Sequence, residues 1–130
     1  MPYTIKNLLD VKDSAPDFRL DSVQEARFAM GDLDAQQTGI SHHILKPGMR
    51  QPFAHSHNQA EEIYLVLSGD GEIKLGRQIE KIGRMDAIRI PPRTPRMVKA
   101  GAAGLEFIAF GPHHKGDADM IDGEFWDAPT

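Results

Sequence analysis

At 130 residues the chain has the length of one ordinary domain, enough to bury roughly two-thirds of its unfolded surface without a metal or disulfide staple. The absence of cysteine excludes disulfides, thiolate metal sites, iron–sulfur clusters and thiol nucleophiles together. A net charge of −4 lacks the basic footprint of a nucleic-acid binder, and no apolar run approaches the ~20 residues of a membrane span.

Met1 to Asp10 carries Lys6, Asn7 and Asp10 where a secretory signal needs an apolar run, so a soluble cytoplasmic protein is expected. Asn7 to Asp13 predicts a short helical turn, which Pro16 keeps from lengthening. Arg27 to Met30 is a candidate strand, and Thr38 to Lys46 a longer one, stopped by Pro47-Gly48, a natural type II turn pair. Glu62 to Ser68 is the strongest strand, apolar on both faces and expected to be covered on both. Gly69-Asp-Gly71 is expected to turn the chain into a hairpin partner, Glu72 to Leu75, whose alternation predicts one solvated face. Gly76 opens another turn and a short strand ending at Gly83, and Asp86 to Ile90 follows, then the breaker cluster Pro91 to Pro95. Arg96 to Ala100 and Gly104 to Phe110 are two strands flanking Gly101, and the tail from Gly111 is polar around an apolar Phe125-Trp126. Short strands with frequent turns and no βαβ alternation predict an all-β sandwich or barrel.

His55 and His57 stand two apart, so in an extended segment both imidazoles leave one face. With Glu62 they form a set that suits a divalent transition metal, Mn, Fe, Ni, Zn or Cu. The step from 57 to 62 is odd, so a turn at Asn58-Gln59-Ala60 has to bring the acid round to the imidazoles. A pair of surface histidines on a polar loop is the plainer reading of the His pair alone.

Gly48, His55-Ser-His57, Glu62 and Gly69 together resemble the first motif of the cupin superfamily: Gly, a spacer, His-x-His, Glu, and Gly six residues on. The spacer after Gly48 is one residue longer than the family's usual one, and the distance to Gly69 selects Glu62 over Glu61, which should point away and be solvated or paired. The likeness spans about 38–111, with an N-terminal arm and a C-terminal tail packing on that core. It implies a double-stranded β-helix, the cupin jelly-roll barrel, in one domain with a short N-terminal helical turn. It also implies His55, His57 and Glu62 as three of four metal ligands, and a homodimer, for which Tyr3 to Ile5 and Phe125-Trp126 are candidate pieces.

The second family motif departs. In register, Arg93 replaces a turn glycine, Arg96 takes the place of the fourth ligand, a histidine, and Ala100 that of an asparagine. A guanidinium has no lone pair for a metal. About 6 Å from a dication it would cost roughly 5 kcal/mol at an effective dielectric near 20. Arg96 therefore swings away, holds an anionic ligand beside the metal, or pairs with Glu62 in a metal-free barrel. His42 or His43 is a minor candidate for the missing nitrogen.

The remaining features read plainly. Gly69-x-Gly71 is no dinucleotide loop, since Lys74 stands at the third glycine position and no helix follows. His113-His114 reads as surface, and Met49, Met85 and Met97 as core or pocket fillers. Phe53, Tyr64, Phe107 and Phe110 are core candidates first, with Tyr64 also a candidate substrate contact. The leading functional reading is a metal-binding cupin, an oxygenase or isomerase if it is an enzyme, whose Arg96 clamps a small anionic molecule. A metal-free anion-binding cupin is the alternative, and a sugar-phosphate isomerase a weaker one resting on fold analogy.

Overall fold

The computed structural model describes residues 2–129. Eight strands form one curled sheet with antiparallel pairing throughout: β1 (Gln24–Phe28), β2 (Thr38–Leu45), β3 (Ala54–His57), β4 (Glu62–Leu75), β5 (Gln78–Gly83), β6 (Ala87–Ile90), β7 (Arg96–Pro112) and β8 (Ala118–Ile121). The expected helical turn is a 3-10 turn, Leu8–Asp10, capped by the Asn7 side chain. No helix among the described residues is long and apolar enough to cross a membrane.

Two long strands build both walls of the barrel. The first half of β4 and the second half of β7 pair together, with β6 on one flank and β2 then β1 on the other. Their other halves pair again in the second wall, flanked by β5 on one side and by β3 then β8 on the other. This is the jelly-roll barrel the motif resemblance implied. Leu45, Tyr64, Val66, Ile90, Leu105 and Phe107 from one wall meet Ile73, Ile82, Val98 and Ala100 from the other in a single buried cluster.

The glycines that read as a hairpin turn instead bend a continuous strand. β4 runs straight through Gly69-Asp70-Gly71 with register shifts against β7 between Val66 and Ser68 and between Gly69 and Gly71. Gly69 has φ +77°, and a Cβ there would run into the Gly104 carbonyl; at Gly71 it would strike the Lys99 carbonyl. Glycine is required because two backbones cross closely at a bulge, which a single-strand pattern does not reveal. β7 is likewise one strand of 17 residues rather than two, passing Gly101 without a break.

Other expectations need smaller corrections. The first strand starts at Gln24, earlier than the apolar pattern suggested, and stops before Met30. The outer face of the strongest strand, Ile63, Leu65 and Leu67, is only half-buried. The supposedly solvated Lys74 is buried, because the tail lies over it. Met97 fills space as expected, but Met49 and Met85 are exposed, as is Phe53, and Phe110 is half-buried. The tail itself forms β8, whose charged Asp119 and lack of an apolar run gave no strand signal. The Pro47-Gly48 turn is as read, with Gly48 at φ +71° and Met49 N–H donating to the Lys46 carbonyl at 3.0 Å.

Candidate metal and anion site

The site lies between the walls where β3 ends and β4 and β7 begin. His55 and His57 project inward from β3; His55 is in register with Arg96 on β7, so the two side chains share the inner face. Glu62, in register with Ile90, enters from the other wall one turn after His57. Glu61 faces outward and pairs with Arg89 at 3.3 Å, as the motif resemblance implied. One donor atom each from His55, His57 and Glu62 lie within 4.8 Å of one another.

The distances show a group organised around an unshared centre. Glu62 Oε1 is 3.9 Å from His55 Nε2, 3.7 Å from His57 Nε2 and 3.7 Å from Arg96 Nη2. None is a hydrogen bond by distance. Among the described residues Glu62 Oε1 has no hydrogen-bond partner, and neither has any nitrogen of the Arg96 guanidinium, which is 0% exposed. A buried charged group in this state is unusual. Burial pushes the Glu62 carboxyl up, but His55, Arg96 and His57 together hold it below the usual carboxylate range. The His57 imidazole is held down by burial and by the neighbouring His55 and Arg96, against the pull of Glu62 and Asp117, so it is neutral at pH 7. Two imidazoles, that of His57 neutral, and an ionised carboxylate fit the donor set of a divalent transition metal.

Around this centre the walls are aromatic. Tyr64, next on the Glu62 face, is buried with its ring 5.0 Å from Phe107, and burial together with Glu62 pushes its hydroxyl pKa well up. His43 points inward and stacks on Phe107 at 4.8 Å, with Nε2 2.7 Å from Ser41 Oγ. His42 points outward to Glu106 at 2.6 Å. Alternation thus turns one of the pair inward, but it stands outside the three-residue donor cluster. His113 and His114 are exposed. Arg93 adopts φ +66°, the conformation for which the family uses glycine, and its N–H donates to the His57 carbonyl at 2.6 Å. Of the two candidate interface pieces, Tyr3 and Ile5 are exposed, while Phe125 and Trp126 pack half-buried against the barrel.

One residue at the site carried no motif. Asp117, just before β8, lies 3.4 Å from His57 Nδ1 and accepts the backbone N–H groups of Gln59 and Ala60.

A jelly-roll barrel with a His-x-His pair and a glutamate converging inside one end is the arrangement of a cupin. The chain matches the cupin domain family over residues 41–109 and belongs to it. An uncharacterized protein of Methanocaldococcus jannaschii is 30% identical over 71 residues, covering 52% of this chain and 57% of that one, so the chain spans somewhat more than half of that relative. Among solved structures, a cupin protein of Bacteroides fragilis is 24% identical with TM-score 0.70, over 89% of this chain and 88% of the other. The polyketide cyclase RemF of Streptomyces resistomycificus is 18% identical with TM-score 0.74, over 96% and 93%. Oxalate decarboxylase of Bacillus subtilis is 19% identical with TM-score 0.72, over 91% of this chain and 33% of that one. At these identities the solved structures show a shared fold.

Proposed function

We propose that the protein is a metal-binding cupin in which His55, His57 and Glu62 hold a divalent transition ion (Mn, Fe, Ni or Zn) and Arg96 receives the anionic end of a small molecule. The observation that carries the reading is the pair of unsatisfied groups facing each other, Glu62 Oε1 and the Arg96 guanidinium. At 3.7 Å they are too far apart to satisfy each other and close enough to be bridged. Arg96 is not a ligand. Its planar fork suits a carboxylate or phosphate bidentately, and an anion seated there offsets the repulsion between the guanidinium and a dication. Tyr64 forms part of the apolar floor beneath that anion, with its hydroxyl kept protonated. When bound, the metal supplies Lewis-acid polarisation of a coordinated oxygen, the chemistry that cupin oxygenases and isomerases share.

The test is elemental analysis of protein purified without chelators, followed by Mn²⁺, Ni²⁺ and Zn²⁺ titration of the stripped wild type and of His57→Ala. The expected result is about one ion per chain in the wild type, with at least 100-fold weaker binding in the variant. A wild type that takes up none of the three ions, yet binds small carboxylates through Arg96, would instead establish the metal-free anion binder.

A further inference from the structure

The odd step between His57 and Glu62 poses a geometric problem that the cupin motif leaves open. Along a straight strand the acid would face away from the imidazoles. The residues between them must form a turn of fixed shape, and in this chain that turn is held from the tail, at its backbone by the Asp117 side chain and at the Asn58 amide by Asp119 Oδ2 at 3.2 Å. Asp117 Oδ1 accepts the Gln59 N–H at 2.8 Å, and Oδ2 accepts the Ala60 N–H at 3.1 Å. The Asp117 carbonyl accepts from the Asn58 N–H at 3.0 Å and from Asn58 Nδ2 at 3.2 Å. Asp117 is 6% exposed, and its Oδ2 also lies 3.4 Å from His57 Nδ1, on the side of the ring away from Glu62.

A neutral imidazole carries its proton on one nitrogen only, and the partner of that nitrogen decides which. A carboxylate beside Nδ1 draws the proton there and leaves the Nε2 lone pair free, 3.7 Å from Glu62 Oε1. Outer carboxylates of this kind fix the tautomer and orientation of ligating histidines.

We infer that Asp117, outside the 41–109 segment that matches the family, is a positioning residue of the site. It fixes His57 in the Nδ1-protonated tautomer and fixes the turn that delivers Glu62. The metal consequence rests on the function proposed above; the tautomer does not.

Long-range ¹⁵N–¹H correlation at pH 8, where His57 is neutral, reads the tautomer directly in the metal-free wild type and in Asp117→Asn. The wild type should show the proton on His57 Nδ1, and the variant a mixture or the Nε2 form. Mn²⁺ or Ni²⁺ affinity should fall about 10- to 100-fold in Asp117→Asn. Asp127→Asn, the same charge change at an exposed tail position away from the turn, should leave both readouts at wild-type values. A wild-type His57 protonated on Nε2 overturns the inference even if Asp117→Asn fails to fold. So does an Asp117→Asn protein with unchanged tautomer and affinity, which leaves the metal reading standing. Failure of the wild type to bind metal, with the tautomer shifting as expected, removes the metal reading and keeps the assignment of Asp117.

Discussion

Two fully buried cations stand one register position apart on opposite faces of the same wall, and the structure treats them in opposite ways. Lys74 lies in register with Met97 and faces outward beneath the tail; Arg96 lies in register with Leu75 and faces the barrel interior. Lys74 Nζ donates to the carbonyls of Phe125 at 2.8 Å, Trp126 at 3.2 Å and Ala128 at 2.7 Å, and sits 5.0 Å from the centre of the Phe125 ring. All three ammonium donors are used, at the carbonyl-rich end of a 3-10 turn in the tail, Gly123–Asp127, where a cation is favoured. Arg96 uses none of its donors, and its nearest anion is 3.7 Å away. A buried charge that is fully bonded holds structure together; the one left unbonded inside the concave end is, on the function proposed above, where an anion binds. On that proposal, burial alone does not separate the structural cation from the functional one; their hydrogen bonds do.

The comparison is sharpened most by Lys74→Met. The variant keeps the volume but strands the Trp126 and Ala128 carbonyls and leaves the Phe125 carbonyl only the Ala128 N–H, at a cost of about 3 to 5 kcal/mol. Urea unfolding should show that loss. Limited proteolysis should cut first in the tail, because Lys74 fastens the segment that also supplies β8 and Asp117. A variant within about 1 kcal/mol of wild type would show that the clamp is not structural.

A third, half-buried group marks the middle of the range. His43 can shed its charge, which Arg96 cannot. Burial lowers the His43 pKa to about 4, with His42 and His55 pushing the same way and Glu62 opposing. Because the folded value lies below the unfolded 6.5, the unfolded chain takes up this proton first as pH falls. The His43 contribution is complete above about 6.5 and is lost progressively toward 4, amounting to about 2 kcal/mol between pH 7 and pH 5. In His43→Phe, which keeps a ring against Phe107, stability should depend less on pH over that window by about this amount. Equal slopes in the two proteins would show that the imidazole is not excluded from water.

The contrast between the two cations also explains what the sequence could and could not reveal. Spacing is local, so the shared face of His55 and His57 follows from alternation along one strand, while the choice of Glu62 over Glu61 came from the resemblance to the family motif. Arg96 was legible only as a departure from a family pattern, and Arg93 likewise. The state of a buried cation depends on what crosses over it from far along the chain. The tail that satisfies Lys74 lies some fifty residues away, and Lys74 within an alternating strand reads as solvated. Asp117 was invisible for the same reason: a lone acid after Gly116 carries no periodicity, and its value comes from a turn fifty-eight residues earlier. The glycine errors have a related origin, since Gly69 and Gly71 are fixed by a crossing strand rather than by their neighbours.

The smallest expected stability effect is the most informative. Arg96→Met replaces an unbonded buried guanidinium by an apolar side chain of similar length. Glu62 loses one of the charges that hold its carboxyl low, but it keeps His55 and His57 and is 19% exposed, so solvent reaches it. Relief of the buried charge should outweigh that loss, leaving the metal-free protein unchanged or more stable by about 1 kcal/mol in urea at pH 7. The same variant should lose binding of small carboxylates by calorimetry. A destabilisation of about 3 kcal/mol, matching Lys74→Met, would mean that Arg96 is a structural partner of Glu62. The distinction between the two cations would then collapse, and the anion-binding reading with it.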